Sequence, residues 1–166
     1  MTYCIDTNAL IHSWQFWYAR QSHPTLWNAI ERLGMSDRLK MPEQVLDELG
    51  EKEDELYEWC RERKDALVME ATDKTEEAYR KLVNRYAEMT GSLGVGADHA
   101  DLYVVAVAAV HNATVITNED RGFEQHPSMR QRKPGNYAMT NVCYEEDISF
   151  IRAYGLVKQE GWVFEH

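Results

Sequence analysis

Residues 98–111 carry the run Leu102-Tyr103-Val104-Val105-Ala106-Val107-Ala108-Ala109-Val110, so a helix formed there is apolar on most of its sides. A helix without a water-facing stripe has to lie deep against a sheet. After the short link His111-Asn112-Ala113, Thr114-Val115-Ile116-Thr117 reads as a buried strand, and Tyr3-Cys4-Ile5-Asp6 reads as another at the amino terminus. Short buried strands alternating with helices are the pattern of an α/β domain built on a parallel sheet.

The elements between these anchors follow from periodicity and breakers. A helical pattern begins at Ala9-Leu10-Ile11 and continues through Trp14-Gln15-Phe16-Trp17-Tyr18, whose rings, like that of Trp27, are expected mainly in the core. His23-Pro24 opens a second helix with Leu26, Trp27, Ile30 and Leu33 on one face, expected to end at Gly34. Leu39-Lys40-Met41 is a short strand. Pro42 then starts a helix that turns Val45, Leu46 and Leu49 inward, brings Glu48 to one edge and is interrupted at Gly50. Residues 51–90 read as a long, polar, mostly helical insertion. The acids between Glu43 and Glu58, Glu48 excepted, read as a solvated helix face. Residues 91–96 form a glycine-bearing loop without the Gly-Lys-Ser/Thr that phosphate cradling needs. Residues 125–137 read as an exposed loop, 140–144 as a short terminal strand and 147–156 as a last helix ending near Gly155.

A chain of 166 residues with 44% apolar content suits one domain spanning 1–166 with its own core. Eighteen basic residues against twenty-eight acidic ones give a formal charge of -10, which opposes indiscriminate binding to nucleic acid or anionic membrane. Any nucleic-acid contact then needs a local basic patch, and Arg121, Arg130, Arg132 and Lys133 are the best candidates. Cys4, Cys60 and Cys143 are too widely spaced for a CxxC motif, and their odd number leaves a thiol unpaired, so a reducing cytoplasm is expected. No signal peptide is expected before the first strand, and the longest apolar run is about half of the roughly 20 residues that span a bilayer, so no membrane association is expected.

The chemistry lies in four acidic stations, each where an apolar element meets a polar end. Asp6 closes the first strand in Asp6-Thr7-Asn8. Glu48 lies on the third helix, Asp101 opens the apolar helix, and Glu119 follows Val115-Ile116-Thr117-Asn118. In a parallel α/β domain the carboxyl ends of neighbouring strands converge on one crevice. Asp98 and Asp101 are three apart and share a helix face, and Glu48 would complete the cluster. Half-buried carboxylates need compensation, and a divalent cation is the cheapest for several at once. Oxygen ligands without a matching Cys/His set favour Mg²⁺ or Mn²⁺ over zinc, the setting for metal-assisted phosphodiester cleavage.

In these spaced motifs the chain resembles the PIN-domain family of metal-dependent ribonucleases, which includes the VapC-type toxins of toxin-antitoxin pairs. The motifs are a hydrophobic strand then Asp-x-Asn, a helix with Val-x-x-Glu-Leu, Asp followed by Val-Val-Ala-x-Ala-Ala, and Val-Ile-Thr-x-acid. The resemblance implies a three-layer α/β/α fold around a parallel sheet, Mg²⁺ or Mn²⁺, and hydrolysis of single-stranded or structured RNA. It places Asp6, Glu48, Asp101 and Glu119 in the acidic positions, with Asn8 and Thr117 as supporting polar groups. It also implies an antitoxin partner and suggests a homodimer. One departure concerns the last station, where the family usually has Asp after Thr-x and this chain has Glu119 with Asp120 beside it. That variant, with the closing Asn141-Val142-Cys143, looks like a poorly characterised PIN-like subfamily.

Other readings of the same residues remain open. Asp98 can cap its helix, and at the first junction Asn8 is better placed than Asp6 to cap. A haloacid-dehalogenase-like phosphatase would use Asp6 as a covalent nucleophile, although Asn8 then stands where such enzymes usually place a second Asp. A catalytically inactive PIN-like binding module is the third reading. His12, His99 and His111 show no zinc spacing and are left out of the catalytic set.

Overall fold

The strands β1 (Tyr3–Ile5) and β2 (Leu39–Pro42) bury every side chain they carry, as strands covered on both faces must. The computed structural model describes residues 1–86, 99–119 and 138–164. With β3 (Val68–Met69), β4 (Thr114–Ile116) and β5 (Phe150–Ile151), these strands make an all-parallel sheet in the order β3-β2-β1-β4-β5. Tyr3 sits opposite Leu39 on one side and Thr114 on the other. The chain therefore winds from β1 to β2 to β3 in one direction and returns to lay β4 on the free edge of β1. That reversal puts a topological switch between β1 and β4, and in open α/β sheets ligands bind just outside the strand ends at such a switch.

Helices flank the sheet, giving the expected α/β/α layering. The apolar helix α7 (His99–His111) packs across β1, β2 and β4 and against α6 (Asp73–Arg85), with Val104, Val105 and Ala106 fully buried. Its lack of a polar face is thus answered by partners on several sides. The helix α3 (Glu43–Gly50) begins after Pro42 and buries Val45, Leu46 and Leu49 as expected, leaving Asp47 exposed and Glu48 half-buried. In the insertion, α4 (Glu55–Glu62) is capped by the Asp54 carboxylate, which accepts from the Leu56 and Tyr57 amides, while Glu51, Glu53 and Glu55 face water. The insertion is less uniformly helical than expected, because α5 (Lys64–Leu67) runs directly into the edge strand β3.

Other departures have physical reasons. Residues 140–144 form part of a helix, α8 (Met139–Glu145), and not a strand. Met139 to Cys143 are all buried, and a short run buried on every side has no period that separates helix from strand. The expected helix over 147–156 divides into β5 and α9 (Ala153–Gln159), and α9 passes through Gly155. Two residues are enough for β5 because Phe150 and Ile151 pair with Val115 and Ile116. Likewise α2 (Pro24–Met35) does not stop at Gly34, which is buried within it against α5. The Lys40 ammonium donates to the Gly34 and Ala66 carbonyls at 3.2 and 2.6 Å and pairs with Asp37 at 2.8 Å, tying the ends of α2 and α5 to β2.

The aromatic run after α1 (Thr7–His12) divides in two. Trp14 packs edge-on against Trp27, 4.7 Å between centroids, and both meet Trp59 in the core. Phe16 and Trp17 instead point outward from a π-helical turn, Ser13–Trp17, and are 71% and 42% exposed, contrary to the core role expected for them. Among the described residues no helix is long and apolar enough to cross a membrane.

Alanine in place of a mid-helix glycine ordinarily stabilises by up to about 1 kcal/mol. At Gly34 the new Cβ would lie 2.6 Å from Leu67 Cδ2 and 2.9 Å from the Ala66 carbonyl oxygen. Gly34→Ala is therefore expected to lower stability by about 1–3 kcal/mol, seen as a lower Tm in thermal denaturation. A Tm equal to or above that of the parent chain would refute so close an approach of α2 to α5.

Candidate active site

Asp6 leaves β1 at the switch and enters α1 directly, so its carboxylate is drawn into the strand ends, 3% exposed. It caps α1, Oδ1 accepting from the Ala9 amide at 2.7 Å. The cap expected of Asn8 thus belongs to Asp6. Its other oxygen accepts from the Thr117 hydroxyl at 2.7 Å, which reaches across from the end of β4. The Glu119 amide in turn donates to Thr117 Oγ1 at 3.2 Å, so one hydroxyl links the acidic residue after β1 to the turn that carries Glu119. From α3, Glu48 Oε2 accepts a hydrogen bond from the Thr7 hydroxyl. Asp101 arrives from the first turn of α7.

These elements enclose a cleft of about 390 Å³ lined by Asp6, Thr7, Asn8, Ile11, His12, Glu48, Asp101 and Glu119. Four acids separated by up to 113 positions in the chain, from Asp6 to Glu119, share it. Thr117 lies buried beneath as a support for Asp6, and Asn8 stands on the wall. Two members were not foreseen. Thr7 belongs to the polar trio at the strand end, but its hydroxyl's role toward Glu48 depends on where α3 lands. His12, one helical turn beyond Asn8 on the same face of α1, lines the cleft although its spacing from other histidines and cysteines is not that of a metal ligand. Asp98, Asp120, Arg121, Arg130, Arg132 and Lys133 lie outside the described residues.

The charge of Asp6 is held at a cost. Burial pushes its carboxyl from the ordinary 3.8 up to about 7. The Ala9 amide and Thr117 hydroxyl pull it down, and the neighbouring Glu119 and Glu48 push it up again. Among the described residues no Lys or Arg lines the cleft to offset these charges. Asn8 Oδ1 is buried there without a hydrogen-bond partner, an acceptor left for an ion or its water. Among the described residues no three His, Cys, Asp or Glu side chains are grouped so that together they could hold a metal ion. An open site of the Mg²⁺ kind needs none, since one or two carboxylates and retained waters complete it. Acidic walls with no Lys or Arg among their described residues and an unsatisfied amide oxygen fit a hard divalent cation. Below the cleft, Cys143 and Cys4 are fully buried, and burial together with the Asp6 charge raises both thiols, which keeps them protonated and inert.

Among solved structures, a chain of VapBC2 from Rickettsia felis, bound to a DNA fragment from their promoter, aligns with 92% of this chain and 98% of its own. The TM-score is 0.50 at 18% identity, a likeness of fold. The five-stranded parallel sheet with helices on its faces is accordingly a PIN-like fold. Residues 3–164 match the family described as Domain of unknown function (DUF4411), and the chain belongs to that family. No curated protein matches it.

A carboxyl raised in the folded state binds its proton more tightly there than in the unfolded chain. The contribution of this one group to stability is therefore fully present below the ordinary value of 3.8 and is lost as pH rises from there to about 7. Asn keeps the cap and removes the charge. In metal-free buffer Asp6→Asn is expected to raise stability by a few kcal/mol at about pH 8, the gain shrinking toward zero near pH 4. Denaturant unfolding across that range checks it, and a gain that does not depend on pH would contradict the buried charge.

Proposed function

We propose that this protein is a divalent-metal-dependent endoribonuclease of the PIN type, the toxin of a toxin-antitoxin pair. The observation that carries the reading is the gathering of Asp6, Glu48, Asp101 and Glu119 around one cleft that no Lys or Arg lines among the described residues. Asp6, Asp101, Glu119 and Glu48 would hold Mg²⁺ or Mn²⁺, with Asp120 the alternative to Glu119 as last ligand and Asp98 as support. When bound, the ion supplies an acidified water for attack and neutralises charge on the phosphodiester. The chain's own work is positional. Thr117 and the Ala9 amide hold both Asp6 oxygens, Thr7 orients Glu48, and Asn8 Oδ1 offers a neutral acceptor on the wall. No protein nucleophile is needed.

The phosphatase alternative asks the Asp6 carboxylate to attack phosphorus. At 3% exposure, with each oxygen already accepting a hydrogen bond, Asp6 is better suited to support an ion than to act as that nucleophile. The neighbouring VapBC2 structure supports an antitoxin as partner here. RNA, a homodimeric state and a cytoplasmic location complete the proposal, with Arg121, Arg130, Arg132 and Lys133 gripping RNA phosphates.

Mixed single-stranded RNA incubated with Mn²⁺ is expected to be cut by the parent chain and at least about 100-fold more slowly by Asp6→Asn. Mn²⁺ is also expected to raise the Tm of the parent chain and not that of the variant. Binding of Mn²⁺ without cleavage of any RNA would select the inactive module, and a trapped phospho-aspartate at Asp6 would select the phosphatase. Neutralising Arg121, Arg130, Arg132 and Lys133 is expected to weaken RNA binding and flatten its dependence on salt. An unchanged salt slope in that variant would remove these residues from the interface.

A further inference from the structure

His12 is the one member of the cleft's described lining that can carry a positive charge and give up a proton from it. It is the last residue of α1, six beyond Asp6 and so roughly 9 Å further along the helix axis, one turn beyond Asn8 on the same face. Half-buried, it shares the cleft with Asp6 from the end of β1, Glu48 from α3, Asp101 from α7 and Glu119 from the turn after β4. The Phe16 ring meets the imidazole edge to face at 5.8 Å and 86°, a contact that orients it. Among the described residues no group hydrogen-bonds its ring nitrogens, so both stay open to a molecule in the cleft.

We propose that His12 is the general acid of phosphodiester cleavage, donating a proton to the ribose oxygen that leaves as the P–O bond breaks. This rests on the nuclease reading and goes beyond it by naming a catalytic residue for the leaving group. Carboxylates hold a cation in their deprotonated form, so the four acids assigned to the ion have no proton to give while they hold it. An alkoxide that departed into a cleft walled by carboxylates would be opposed by their charge, and a proton delivered as the bond breaks keeps that alkoxide from forming. The step along α1 sets the imidazole back from the strand end that carries Asp6, which leaves it to act on the substrate and not on the ion. In the reaction, water adds to phosphorus and releases a proton to solvent, and the P–O bond to the leaving oxygen breaks. The electron pair of that bond takes the imidazolium proton to make the hydroxyl, and the neutral imidazole regains a proton from solvent. No other reactant enters.

The test compares the full parent chain, loaded with Mn²⁺, with His12→Ala and His12→Gln on two versions of one single-stranded RNA. One is the natural oligomer, and in the other the leaving oxygen at the mapped cleavage position is replaced by sulfur, which departs without a proton. On the natural oligomer both variants are expected to lower kcat about 10²- to 10⁴-fold with little change in KM. On the sulfur-bridged oligomer they are expected to cut at close to the parent rate, and imidazole added to the buffer is expected to restore part of the loss in His12→Ala. Mn²⁺ is expected to raise the Tm of both variants as it raises that of the parent chain. The proposal is overturned if the variants cut the natural oligomer at the parent rate, which would leave the proton to water. It is equally overturned if the variants, folded by circular dichroism, lose cleavage of both oligomers to the same degree, or if the rise in Tm with Mn²⁺ disappears with His12, which would make it a ligand. Failure of the nuclease reading shows in the parent chain, as absence of cleavage of the natural oligomer, and removes this proposal with it.

Discussion

Carrying the carboxylate of Asp6 out of water, at the end of a strand covered on both faces, creates a cost that its surroundings meet only in part. One oxygen caps α1 and the other takes the Thr117 hydroxyl, yet burial and the nearby Glu48 and Glu119 still hold the carboxyl well above the ordinary range. The same interaction joins the first helix, the first strand and the fourth strand at one point. The direction of α1, the position of the Glu119 turn and the closure of the cleft all depend on it.

The switch in strand order is what lets these groups meet. Because β4 returns to the free edge of β1, the residues after each strand, Asp6 and Thr117, become neighbours across 111 positions of chain. The apolar helix α7 then crosses beneath both and presents Asp101 from its first turn, while α3 brings Glu48 from the β2 side. Each acid comes from a different element, and the scaffold that aligns them is buried backbone and aliphatic packing, which resists the repulsion among them. Such preorganised acidic walls are what a hard divalent cation exploits.

Much of this could be read in advance where a signal was local and strong. The unbroken apolar run of 102–110 demanded a covered helix, and Tyr3-Cys4-Ile5 and Val115-Ile116 could only be buried strands. The acids at their ends followed from the geometry of parallel sheets. Less could be read where burial erased the period, as at Met139 to Cys143, or where an element was too short to have one, as at β3 and β5. Gly34 does not stop its helix, because a glycine inside a helix signals either an end or a close neighbour, and the neighbour, α5, lies 30 residues further on.

By itself the sequence determined the fold class and the identity of the acids, since both rest on hydropathy patterns and residue types at the ends of short segments. Tertiary structure alone decided which oxygen meets which donor, that Asp6 and not Asn8 caps α1, that Thr7 serves Glu48, and that His12 faces the cleft. It alone turned Phe16 and Trp17 outward while Trp14 stayed in the core. The reason is physical: propensity and pattern act over a few neighbouring residues, whereas the burial of a charge or a ring is set by whatever distant segment packs against it.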